Sequence, residues 1–138
     1  MNSIRVINTE TFEPFGKVLE FSENPQDQRF EVIITEEHSP WRLAVFRVKE
    51  RECVMLEKHP TSLESFEPIS GTGLLIVAPK AEPRDYQIFL LDKPVCLYKG
   101  IWHQMITLSE ETLVKIAENL QVESEFYHLN KPIKAELA

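Results

Sequence analysis

The feature that most constrains this chain is a rhythm of short apolar runs, recurring roughly every ten residues and separated by Gly, Pro, Asp or Ser. They read CVMLEKH, ESFEPI, GLLIVAP, YQIFLL, VCLYKG, WHQMITL and TLVKIAE, preceded by RFEVIIT and WRLAVFRV. Each is too short for an amphipathic helix, and β-branched and aromatic residues are frequent in them, so the pattern predicts a sandwich or barrel of short strands. LSEETLVKIAENL also contains strong helix formers and a Ser109 start signal, and it is taken as strand. Ahead of the strands, INTETFEPFGKVLEF predicts a short helix capped near Asn8 or Thr9 and stopped by Pro14. Gly16 then turns the chain into an extended run over 17–21.

A chain of 138 residues suits one domain, here residues 1–138. No apolar run approaches the ~20 residues of a membrane-spanning helix, and the first ten residues lack the pattern of a secretory signal, so a cytoplasmic protein with no membrane partner is expected. The net charge of −7 repels phosphate backbones and argues against nucleic acid. Cys53 and Cys96 fit no zinc or redox spacing and are expected to be reduced and buried.

Chemistry concentrates in two stretches. Glu57 and His59 are two residues apart, so on a strand both leave the same face while Lys58 points away. Written out, the first stretch is Glu57-x-His59-x4-Glu64-x6-Gly71 and the second is Gly100-x2-His103-x3-Thr107. Two carboxylates and two imidazoles form a mixed oxygen and nitrogen donor set suited to Ni²⁺, Mn²⁺, Fe²⁺ or Zn²⁺, with a metal-free site as the alternative. Glu67, in SLESFEP, competes with Glu64 for the inward position. His38 and His128 are expected to be exposed.

These spacings resemble the two motifs of the cupins, with Glu57 in place of the first histidine and Thr107 in place of the usual asparagine. The resemblance implies a double-stranded β-helix, or jelly-roll barrel, with metal ligands at Glu57, His59, Glu64 and His103. More specifically, INTETFEPFGKVLE, EKHPTSLESFEPI and LYKGIWHQMITL resemble, in order, the segments of the ureidoglycolate lyase family. That likeness implies cleavage of ureidoglycolate to glyoxylate and urea, with His103, His59 and Glu57 as catalytic residues. It also implies a small carboxylate substrate held by Arg29 or Arg47, and a homodimer. Arg42 and Arg84 are expected to be surface charges.

The sequence departs from the family at Gln104 and Met105, which replace a His-Pro pair, at Glu64, which replaces a glutamine, and at Glu118-Asn119, which replaces Asp-Arg. Two other readings therefore stay open, another metal-dependent cupin enzyme acting on a small carboxylate and a non-catalytic cupin that binds a small molecule.

Overall fold

The computed structural model describes residues 3–134, which form two β-sheets with one short helix. The six-stranded sheet has the order β1-β7-β6-β9-β4-β11 and the five-stranded sheet the order β2-β8-β5-β10-β3. The strands are β1 (Ile4–Val6), β2 (Gly16–Val18), β3 (Trp41–Val48), β4 (Glu52–Lys58), β5 (Glu64–Ser70) and β6 (Gly73–Ala78). They continue as β7 (Gln87–Leu90), β8 (Val95–Leu97), β9 (Trp102–Thr107), β10 (Thr112–Asn119) and β11 (Glu125–Lys134). Successive strands alternate between the sheets often enough to make the jelly roll that the motif spacing implies.

The helix α1 (Thr9–Phe12) starts where the sequence marks it. Asn8 accepts from the Thr11 backbone N–H at 2.8 Å, and the Thr11 hydroxyl accepts from the Asn8 N–H at 3.1 Å, a reciprocal cap. LSEETLVKIAENL is strand over β10, because its alternate residues Thr112, Val114 and Ile116 are buried between the sheets.

Two expectations fail locally. RFEVIIT has the composition of a strand but forms no ladder; Phe30 and Val32 are exposed, and the segment runs as an irregular strap. The extended run after Gly16 pairs only through Val18, and β1, which pairs in parallel with β7, carries no sequence signal that singles it out.

The barrel interior holds Phe12, Phe15, Phe66, Leu75, Val77, Phe89, Leu97 and Met105. A second cluster covers the outer side of the six-stranded sheet, with Leu56, Leu74, Ile76, Ile88, Trp102 and Ile106 packed under Tyr127 and Leu129 of β11. Burial on both faces explains why GLLIVA in β6 is apolar throughout rather than alternating.

Candidate active site

The polar site is a single layer of the barrel, set by register. On the six-stranded sheet, β4 and β9 pair Glu57 with His103. On the five-stranded sheet, β10 pairs Glu118 with Glu64 of β5 on one side and with Arg42 of β3 on the other. His59 follows directly after β4 and leans into the same space. The Gly100 N–H donates to the His59 carbonyl at 2.9 Å, and Gly100 takes a φ of +82°, which a residue without Cβ adopts at little cost. That turn ties the start of β9, and hence His103, to His59.

These side chains line an open cavity of about 630 Å³, together with Phe46, Phe66, Gln104, Gln121 and Ser124. Glu64, His59 and His103 are almost wholly buried there, while Glu57 is half-buried. The Glu64 Oε1 oxygen lies 3.2 Å from His59 Nε2 and 2.9 Å from His103 Nε2, and Glu57 Oε1 lies 3.8 and 4.0 Å from the same two nitrogens.

The other nitrogen of each ring is engaged by backbone. His59 Nδ1 donates to the Glu123 carbonyl at 3.0 Å and His103 Nδ1 to the Ile101 carbonyl at 2.9 Å. A neutral ring held this way presents a lone pair at Nε2, and a lone pair facing a carboxylate oxygen is not a hydrogen bond. Glu64 Oε1 is accordingly the buried polar atom, among the described residues, that completes no well-formed hydrogen bond.

Two arrangements resolve this conflict. In one, both rings are protonated and Nε2–H groups face the carboxylate. Burial alone would raise Glu64 and depress both imidazoles, but their mutual attraction outweighs it: Glu64 is drawn down to about 2, His59 is pushed up to about 9, and His103 is raised as well. In the other, a cation sits among the converging atoms. The donors fit that role: Glu57, His59 and His103 offer one cluster of ligand atoms within 4.8 Å of one another, and His59, Glu64 and Glu118 another. Backbone carbonyls fix both rings by the nitrogen that a cation would not use.

The structure thus brings together Glu57, His59, Glu64 and His103. It separates Glu64 from Glu67, which faces outward and pairs with Lys115 at 3.2 Å. Neither arginine expected at the substrate joins them. Arg29 lies exposed in the strap, its backbone N–H on Asp27, and Arg47 shares the outer face of β3 with Leu43 and Val45, where it pairs with Glu111. Arg42, expected as a surface charge, is exposed and also lines the cavity, paired with Glu118 at 2.6 Å. Thr107 sits at the far end of β9, bonded to Thr112, and Met105 is core. His38 and His128 are exposed.

A jelly-roll barrel that gathers two imidazoles and several carboxylates in one interior layer places the chain in the cupin class. The fold matches tomato (Solanum lycopersicum) vicilin with a TM-score of 0.50 at 14% identity over 65% of this chain, which spans only 26% of that one. Within the class, the chain belongs to the ureidoglycolate lyase family, whose model, described as ureidoglycolate lyase, matches residues 29–134. It is similar to the ureidoglycolate lyase of Agrobacterium fabrum, 29% identical over 120 residues and 72% of each chain. The enzyme of that name from Rhizobium etli is 28% identical over 129 residues, 79% of this chain and 78% of its own. No helix among the described residues is long and apolar enough to cross a membrane.

Proposed function

We propose that this chain cleaves ureidoglycolate to glyoxylate and urea, with His59, His103 and Glu57 as its catalytic residues. The observation that carries the reading is the convergence of both Nε2 atoms on Glu64 Oε1, inside a cavity, in a chain of this family.

In the reaction the hydroxyl on the carbon bearing the ureido group loses its proton as the carbon–nitrogen bond breaks. The bonding pair goes to nitrogen, which gains a proton and leaves as urea. With their pKa raised, His59 and His103 are proton donors at neutral pH, and Nε2 of either serves the departing nitrogen. Glu57, half-exposed beside both rings, accepts the hydroxyl proton. Glu64 keeps the imidazoles charged and fixed. A divalent transition metal held by Glu57, His59, Glu64 and His103 would supply Lewis acidity to the substrate oxygens.

The test is release of urea and glyoxylate by metal-stripped protein, and by the same protein reloaded with Ni²⁺, Mn²⁺, Fe²⁺ or Zn²⁺, with His103→Ala as control. Activity without metal supports the imidazolium route, and activity only after reloading makes the same residues ligands. In the second case the ion raises the melting temperature of wild type and leaves that of His103→Ala nearly unchanged. Folded protein inactive in every state refutes the reading; ion binding without turnover then favours another small-acid enzyme, as Glu64 in place of the family's glutamine suggests.

The same reading has a cytoplasmic homodimer as the working molecule, with both cysteines unpaired. Strand β3 ends its sheet and exposes Trp41, Leu43 and Val45. Antiparallel pairing of two copies about Ala44 sets Leu43 against Val45 and Trp41 against Arg47 of the second copy, in a closed two-fold contact. Light scattering on wild type and Val45→Lys tests it, and a wild-type monomer refutes it.

A further inference from the structure

A substrate with a carboxylate must enter a cavity whose lining already holds the carboxylates of Glu57, Glu64 and Glu118. Like charges in such a space repel unless a fixed cation receives the newcomer. Among the lining residues the permanently charged cation is Arg42.

Its position follows from register. Strand β10 pairs Glu118 with Arg42 on one side and with Glu64 on the other, so the inner face carries a cross-strand row of Arg42, Glu118 and Glu64. Two carboxylates side by side on one face destabilise a sheet, and here each is compensated by a different partner: Glu64 by the imidazoles, Glu118 by the guanidinium.

The pairing also leaves Arg42 with donors to spare. Nε and Nη2 both donate to one oxygen, Glu118 Oε2, at 3.0 and 2.6 Å. Of the five N–H groups, the two on Nη1 and one on Nη2 meet no protein acceptor among the described residues, and they form the fork that grips a carboxylate by two parallel bonds. The Glu118 side chain is 8% exposed and that of Arg42 47%, so a buried carboxylate fixes a guanidinium that reaches the mouth. A Glu118 oxygen also lies within 4.8 Å of ligand atoms of His59 and Glu64, which ties the fork to the reacting centre.

We propose that Arg42 is the carboxylate anchor of this site and Glu118 its positioning residue, an inference that rests on the reaction proposed above. Arg42 binds the acid end of the substrate and leaves the hydroxyl and ureido groups toward His59 and His103. Glu118 holds the guanidinium side-on, so that its free edge faces the cavity.

Calorimetric titration of wild type and variants with glyoxylate and with urea, alongside kinetics on ureidoglycolate, tests this. Arg42→Gln should weaken glyoxylate binding and raise KM roughly 10- to 100-fold with little change in kcat, and should leave urea binding unchanged. Arg42→Lys should recover only part of the loss, since an ammonium lacks the fork. Glu118→Gln should move KM in the same direction by less, and the double variant, which leaves no lone buried charge, guards against misfolding. An active wild type whose KM is unchanged by Arg42→Gln, or a wild type that fails to bind glyoxylate, overturns the inference. A wild type that binds glyoxylate through Arg42 but does not turn over ureidoglycolate refutes the reaction and keeps the anchor.

Discussion

Two neighbouring layers of the barrel interior are built on opposite principles. In one, Phe12, Phe15 and Phe89 meet edge to face with centroids 5.1 to 5.9 Å apart, beside Leu75 and Met105, and the charge that reaches it is the Arg5 guanidinium, 5.5 Å from the Phe89 ring centroid. Two register positions along β6 and β9, Val77 pairs with His103, and the layer fills with Glu57, His59, Glu64, Glu118 and Arg42. Phe66 marks the boundary, its ring 5.5 Å from that of His103. The apolar layer gains stability from area removed from water, whereas the polar layer gathers charges whose desolvation is only partly offset. The difference implies that stability and chemistry are separable, one layer for each.

The sharpest break in that comparison is at His103. His103→Ala should lower kcat/KM by about 10²- to 10⁴-fold, the scale of a lost acid–base group, with a native circular dichroism spectrum retained. Next comes Phe89→Ala, which should cost about 3–5 kcal/mol of stability while the folded fraction keeps its activity at low temperature. Denaturant unfolding and activity per folded molecule, measured on both variants, decide the matter. If Phe89→Ala destroys turnover in protein that is still folded, the layers are not separable.

Gly100→Ala probes the link between layers and should do less. Its φ of +82° penalises any side chain by about 1–2 kcal/mol, and the atoms nearest an added Cβ belong to the flexible Lys80 chain, 3.1 to 3.3 Å away. Stability should fall by that amount. Activity should fall too if the bond from Gly100 to the His59 carbonyl aligns the rings, and unchanged activity would show that it does not.

How much of this was legible in the sequence differs between the layers. The strand rhythm and the two spacings carried Glu57, His59, Glu64 and His103, because a period of two and a glycine with positive φ leave marks in one dimension. Arg42 was not legible. In WRLAVFRV both faces are apolar, since the outer residues Trp41, Leu43 and Val45 are exposed yet hydrophobic, and so alternation could not show that Arg42 faces inward and Arg47 outward. Glu118 acquires its place only through β10 lying between β3 and β5, a neighbourhood that local sequence does not encode. RFEVIIT shows the converse: strand composition alone does not make a strand, and the segment joins no ladder.

The smallest effect concerns the two thiols, and it sharpens the contrast between regions that do and do not feel the polar layer. Burial pushes both Cys53 and Cys96 up to about 11, but Cys96 also feels the charges of Glu64 and Glu67, whereas Cys53 lies in the outer cluster. In the unfolded chain a thiol ionises near its ordinary value of 9.0, below the folded one, so between pH 9 and 11 the unfolded state holds fewer protons and stability falls as pH rises. At about pH 9.5 each thiol should account for roughly 1 kcal/mol of that loss. Urea unfolding of wild type, Cys53→Ala and Cys96→Ala across this range should show each variant losing less stability with pH than wild type. Adding Glu64→Gln should alter the contribution of Cys96 and leave that of Cys53 untouched; an equal response from both would mean that the charge of the polar layer is not confined to its own side of the barrel.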